Sequence, residues 1–360
     1  MKILVEKNPY IANRKRILLY LGFLILGIFL SSLIFLIKGI NPFYAIYRIF
    51  RGSFFSLYGL KETITKMIPL LLVGTGLALA FKGRFWNIGA EGQLLIGATV
   101  ATWIALYIGP KFGPVLPLMF IGGFIGGALW GMIPAYLKSK LGINDIISTL
   151  MLNYVAAQFV QYLIYGPWKG KTQYGFPYTD NFPQNAILPL IKGSRIHYIT
   201  LIIGLIAVIL VYFFIYRTKY GYEIRVVGEN PDAAKYAGID FLKVTLIMMI
   251  ISGGLAGIAG VGEVSAIHKH LTYPEQVSSS YGYTGIIVAW LALLNPLMVI
   301  FSSFFFGGIL VGGDIIQTSF HLPSATINLF NGFILFSALL GIFFTEFKIK
   351  IIRKREVQKN

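Results

Sequence analysis

Residues 81–98 read FKGRFWNIGAEGQLLIGA, and the reading of this stretch, set between two long apolar runs, decides the fold. Lys82, Arg84, Trp86, Asn87, Glu91 and Gln93 gather there around Gly83, Gly89, Gly92 and Gly97. If the flanking runs cross a bilayer, the segment is a surface turn followed by the start of a helix. The composition favours that. Of 360 residues 56% are apolar, Gly adds 40 more, and only 12% are charged, against about 45–50% apolar, Gly included, in a soluble domain. A formal net charge of +17 would point to nucleic acid in a soluble chain, but in a membrane chain it reads as orientation, and no nucleic-acid partner is expected. The absence of Cys removes disulfide and thiolate chemistry.

Crossing the hydrocarbon takes about 20 mostly apolar residues. Ten segments qualify: 17–37, 63–81, 88–108, 114–137, 146–165, 198–216, 244–261, 283–300, 301–319 and 325–345, with Asn295-Pro296 as the evident break between the eighth and ninth. The first follows a basic stretch but shows no small-x-small cleavage site, so it reads as a retained helix. With the N-terminus inside, segments 1–16, 82–84, 138–140, 217–243 and 348–359 hold 20 of the 31 Lys and Arg. The positive-inside rule then places both termini in the cytoplasm. The expected fold is all-α: a polytopic helix bundle of about ten transmembrane helices in the cell membrane. It is read as a single transmembrane domain over 1–360, with a cytoplasmic N-terminus (1–16), a membrane bundle (17–345), a cytoplasmic loop (217–243) and a basic tail (346–360).

On that topology Lys82, Gly83 and Arg84 turn the chain at the cytoplasmic surface, and Trp86 sits at headgroup depth. Gly89, Gln93 and Gly97 share a helix face by their spacing of four, and small residues allow close helix approach. Glu91 points elsewhere, as an interfacial acid or as part of a pathway. The fifth segment, NDIISTLMLNYVAAQFVQYLIYG (144–166), puts Asp145, Thr149, Asn153 and Gln161 on one face, with Gln158 beside it. Carboxamides are costly against lipid, so this face is either a hydrogen-bonded seam or a polar lining for a hydroxyl-rich solute. Thr149, Asn153, Gln158, Gln161, Glu91 and Gln93 are the candidate pathway residues.

Catalytic patterns are missing from the sequence. There is no G-x-x-x-x-G-K-[ST], no His/Cys cluster at metal spacing and no G-x-S-x-G elbow. His268 and His270 read as a solvated outer loop or a weak metal candidate, and Glu263 and Asp314 as acids at glycine breaks. The chain is expected to be no enzyme and to bind no cofactor or metal itself. The longest cytoplasmic interruption, RTKYGYEIRVVGENPDAAKYAGID (217–240), contains a short helix: Asn230 caps it, Pro231 suits its first position, Asp232 complements its dipole and Gly238 ends it. A helix of about two turns is marginal alone. It therefore rests on its own bundle or docks a cytoplasmic partner.

Together, FWNIGAEGQLLIGA (85–98), GINDIISTLMLNY (142–154), VGENPDAAKYAGI (227–239) and SGGLAGIAGVGEV (252–264) resemble the permease subunits of ATP-binding-cassette importers, in the branch serving simple sugars and nucleosides. The likeness extends over roughly 60–345. It implies a ten-helix permease paired with a second permease subunit, identical or related, two cytoplasmic ATPase subunits that use ATP-Mg, and an extracytoplasmic solute-binding protein. It also implies that 230–238 is the coupling helix docked on the ATPase, with Gly228, Asn230, Pro231, Ala233, Ala234 and Gly238 as docking residues. The competing reading, an ion-coupled secondary transporter of a polar solute, wants a mid-membrane carboxylate or Lys. An intramembrane lipid enzyme would want paired acids or a His-acid pair. Segments 63–165 and 244–345 would run in opposite directions, as inverted repeats do, with GINDIIST and GGDIIQTS as a faint echo.

Overall fold

The computed structural model describes residues 2–7, 13–109 and 113–352. They form two compact units, 57–308 and a second assembled from 1–56 with 309–360. Fourteen α-helices and one two-stranded ribbon appear among the described residues.

In the unit 57–308, α3 (Leu57–Lys82) is the central post, with nearly every residue from Thr63 to Phe81 buried. Against it packs α10 (Phe241–Gly262), and on α10 pack α4 (Ala90–Trp103) and α5 (Val115–Leu141). The last three meet through glycines. A Cβ on Gly97 would overlap the backbone of Gly257, and Gly253 and Gly257 likewise lie against the carbonyls of Gly127 and Gly123. Without side chains between them, backbones touch, which is how helices gain packing energy where lipid removes the hydrophobic drive. α6 (Asp145–Tyr165) and α7 (Tyr198–Arg217) lie outside this junction, and α7 shows Ile202, Ile206, Ile209, Leu210 and Phe213 outward. In a bilayer that face meets acyl chains.

Among the described residues nine helices are long and apolar enough to cross a membrane. The eighth expected segment, 283–300, is not one of them. The chain there forms α11 (Pro274–Ser278) and α12 (Tyr281–Leu291), parted by Ser279 and Ser280, both in the left-handed region (φ 42° and 58°). Leu293 and Leu294 also take positive φ before α13 (Pro296–Ser319) begins. The break at Asn295-Pro296 stands where the sequence put it, and Asn295 Oδ1 accepts from the Leu297 N–H at 3.1 Å. The segment before it, however, is a broken helix from 274 to 291, about 27 Å if straight, close to the hydrocarbon thickness. The echo between GINDIIST and GGDIIQTS also separates, because Asp145 opens α6 whereas Asp314 lies inside α13.

In the other unit α1 (Asn13–Ser32) continues as a 3-10 turn to Lys38 and runs antiparallel to α14 (Ser324–Glu346). Phe23 stacks on Phe344 and Phe35 packs on Phe330. α2 (Pro42–Phe54) buries Pro42, Ala45, Ile49 and Ser53, a helical stripe within the polar stretch between the first two expected spans. The terminal segments, expected as tails, pair in part as an antiparallel ribbon of β1 (Lys2–Lys7) and β2 (Phe347–Ile352), Lys2 opposite Ile352 and Lys7 opposite Phe347. The basic residues Arg353, Lys354, Arg355 and Lys359 of the tail lie outside the described residues.

Candidate functional site

The opening stretch becomes a buried polar knot. After α3 ends at Lys82, residues 83–89 turn without regular structure, Arg84 in the left-handed region (φ 55°), and α4 starts at Ala90. Such a turn leaves backbone donors and acceptors free, and in a low-dielectric bundle each needs a partner. α6 supplies them. Asp145 Oδ2 accepts from the Trp86 N–H at 2.7 Å and from Lys138 Nζ at 2.6 Å. Thr149 Oγ1 accepts from the Ile88 N–H at 3.3 Å. Asn153 Oδ1 accepts from the Gly92 N–H at 2.8 Å while its Nδ2 donates to the Ile88 carbonyl at 2.9 Å and lies 3.3 Å from the Tyr283 hydroxyl. Gln93 forms a mutual amide pair with Asn87, 3.0 Å in each direction, and Asn87 also donates to Ser252 Oγ of α10.

The lower half of the α6 stripe is therefore a seam whose polar groups are already occupied. The upper half differs: Gln158 is exposed, Gln161 is half-buried, and neither makes a side-chain hydrogen bond among the described residues. Gly89 and Gly97, placed on one face by spacing, serve different neighbours. A Cβ on Gly89 would meet Thr149 at 3.1 Å, whereas one on Gly97 would strike α10, because Gly89 precedes the first helical turn. Gly92 is itself pressed against α6, 3.1 Å from the Asn153 Cα by the same measure.

Glu91 neither lies at the surface nor faces open space. It is buried, and its Oε2 accepts from the Gly282 N–H at 2.7 Å, while Ser278 and the N–H groups of Ser280 and Tyr283 surround the same carboxylate. The left-handed serines aim successive amides inward, and α12 starts there, so the positive end of its dipole faces the acid. Half-helix N-termini inside membrane proteins commonly face anions. Here the acceptor is the chain's own Glu91. Gly282 has to be glycine at this contact, because a Cβ would fall on the Glu91 backbone.

The same end of the unit carries α8 (Lys219–Glu229) and α9 (Pro231–Tyr236). Asn230 Oδ1 accepts from the N–H groups of Asp232 and Ala233 at 3.0 and 3.1 Å, Pro231 takes the first position, and Gly238 closes the helix at φ 73°. Gly228 is buried so closely that a Cβ would overlap the Lys82 carbonyl of α3. Ala234 is also buried, while Pro231, Asp232, Ala233, Lys235 and Tyr236 are exposed, Tyr236 at 94%. Sequence reasoning found this helix and its caps but not which residues point outward.

At the opposite end, the 166–197 segment is pinned by an ion pair of Arg195 with Glu62 and by Lys61 Nζ donating to the Gly193 carbonyl at 3.1 Å. His268 contacts the Gln276 carbonyl at 3.2 Å, and His270 packs on Tyr178. Burial lowers the His270 pKa below its ordinary value. No group of three or more His, Cys, Asp or Glu that could hold a metal occurs among the described residues. Glu263 is buried at the start of a π-helical end to α10, and Asp314 is exposed on α13. Lys138, Ser252, Gly282 and Tyr283 belong to the seam and escaped sequence reading, since nothing in their local context marks the distant partners they meet.

Residues 59–339 match the family described as branched-chain amino acid transport system / permease component. The chain is 31% identical to the glucose ABC transporter permease protein TsgB13 of Haloferax volcanii, over 87% of this chain and 84% of that one. It is 32% identical to the guanosine ABC transporter permease protein NupP of Bacillus subtilis, over 85% and 88%. Against the nucleoside ABC transporter permease protein NupB of Lactococcus lactis it is 31% identical over 83% and 84%. Permeases of this family act with separate ATPase and binding-protein subunits. The chain belongs to this family: it is a multi-pass permease subunit of an ABC transporter in the cell membrane, and not an enzyme.

Proposed function

We propose that the chain, paired with a second permease subunit, forms the path by which a nucleoside or a simple sugar enters the cell. ATP-Mg hydrolysed on two cytoplasmic ATPase subunits drives the step, and an extracytoplasmic solute-binding protein delivers the solute. Relatives named for guanosine, nucleosides and glucose support the solute class. The observation that carries the reading is α9, a short capped helix that shows Pro231, Asp232, Ala233, Lys235 and Tyr236 outward while Gly228 and Ala234 seat it on the bundle. A two-turn helix with so little internal stability gains order from a partner's cleft. In this reading the outward residues dock on the ATPase, and Asn230 and Gly238 hold their shape. Thr149, Asn153, Glu91 and Gln93 fix the wall of the path, and Gln158 and Gln161 are the members of the stripe left to meet a solute.

The chain has no cysteine, so an introduced thiol is unique. Tyr236→Cys is expected to react with an impermeant maleimide only after the membrane is opened, and to be shielded once the ATPase binds. Reaction from outside intact cells would overturn the orientation. Equal reaction with and without the ATPase would overturn the docking role. In liposomes carrying the complete assembly, uptake of labelled guanosine or glucose should require ATP; uptake by the chain alone on an ion gradient would favour a secondary transporter.

A further inference from the structure

The helix α2 belongs to none of the machinery above, and its exposed side has an unusual composition. It buries Pro42, Ala45, Ile49 and Ser53 and exposes Phe43, Tyr44, Tyr47, Arg48 and Arg51, with Phe55 following at 82% exposure. No acidic residue occurs between Lys38 and Lys61. Asn41 caps the helix, accepting from the Phe43 N–H at 2.9 Å, and only Gly39–Asn41 separate it from the end of α1 and its 3-10 extension. Its buried side lies on α13, where a Cβ on Gly52 would meet Ile315 and Gly312 accommodates Ile49, and Arg48 reaches Ser319 at the last turn of that helix. With Tyr44 against Phe320 as well, α2 runs antiparallel beside the last turns of α13, at the end of that helix.

Aromatic rings and arginines on one exposed face, with no acid, match the boundary between acyl chains and headgroups. The two guanidiniums stand one turn apart. Arg48 lies over the Tyr44 ring, 5.9 Å from its centroid, and donates to Ser319 Oγ at 3.1 Å; Arg51 lies 5.7 Å from the Tyr47 centroid and donates to its hydroxyl at 2.9 Å. Neither forms an ion pair among the described residues. Each is thus aligned by neutral groups and retains donors for an anion. Guanidinium forks match phosphate oxygens in pairs. We propose that this end of α13 lies at the headgroup boundary and that Arg48 and Arg51 of α2 form a binding site for the phosphate of an anionic phospholipid headgroup. The exposed Phe43 and Phe55 favour lipid over an acidic protein partner, because such rings gain nothing against a charged aqueous surface.

The test uses the full chain purified from membranes and equilibrated with equal phosphatidylglycerol and phosphatidylcholine, with retained lipid read by native mass spectrometry. Phosphatidylglycerol should be retained preferentially, and Arg48→Gln/Arg51→Gln should reduce that preference roughly thirtyfold, given about one surface cation's contribution per residue. Arg48→Lys/Arg51→Lys keeps the charge and should keep part of the preference, which separates loss of the site from misfolding. Unchanged retention in the glutamine pair would overturn the proposal. Displacement of the lipid by inorganic phosphate would reassign the site to free anions and overturn it too. Independently, a nitroxide on Phe43→Cys in the otherwise native chain should report the headgroup boundary in vesicles. A fully aqueous label, with the glutamine pair losing only affinity for the solute-binding protein, would assign the surface to that protein and overturn the lipid reading.

Discussion

Two short helices, α9 and α12, each begin at an oxygen cap, and they solve that problem in opposite ways. α9 takes its cap from Asn230, the residue just before it, at the surface. α12 takes its cap from Glu91, 191 residues earlier in the chain, inside the bundle. A local cap makes a helix that folds and frays on its own account. A distant cap makes one that exists only when the surrounding helices are already in place. The first arrangement suits an element that adjusts to a partner, and the second suits a fixed wall.

The largest effect should follow from attacking the distant cap. Gly282→Val would drive a branched side chain into the Glu91 backbone, and overpacking of this kind costs about 3 kcal/mol or more with no room to relax. Loss of the monodisperse peak in fluorescence-detected size-exclusion chromatography is the expected result; a normal peak and melting temperature would mean that α12 is free to move away. Next comes Glu91→Gln, which keeps an acceptor for the Gly282 N–H but turns an amide donor towards the other N–H groups at the start of α12. A destabilisation of about 1–2 kcal/mol is expected, read as a lower melting temperature, and unchanged melting would reduce Glu91 to a bystander. The smallest effect on stability should come from the local cap. Asn230→Ala costs about 1 kcal/mol, confined to α9, so melting of the bundle should hold while substrate-stimulated ATPase activity falls several-fold. If instead the whole protein melts earlier, α9 is part of the core and the contrast with α12 disappears.

The same contrast explains what the sequence disclosed. Asn230, Pro231 and Gly238 announce α9 because its start and stop signals are neighbours in the chain. The break before α12 carries no such signal. Ser279 and Ser280 adopt left-handed backbone without the glycine that usually marks it, held by contacts around Glu91 that only the folded bundle supplies. The expected span 283–300 therefore begins after that break and runs past the end of α12 at Leu291 into the Asn295-Pro296 turn. The α6 stripe was legible as one face from its spacing of four, but not that Asp145, Thr149 and Asn153 would be taken up by the 86–92 backbone while Gln158 and Gln161 stayed free. The stripe Pro42, Ala45, Ile49, Ser53 of α2 has ordinary helical spacing, yet it fell in a segment too polar to count as a span, and so went unread.

The contact of Gly228 with the Lys82 carbonyl bears on how motion travels. Most helix contacts are cushioned, since a side chain can change rotamer and absorb a small displacement. At Gly228 backbone rests on backbone, and Lys82 is the last residue of α3, the post around which the unit is built. Beyond it the chain enters the 83–89 turn, which Asp145 and Asn153 tie to α6. A shift imposed on α8 and α9 thus meets a stiff joint rather than a spring, and is handed directly to the foot of α3 and to the turn that α6 grips.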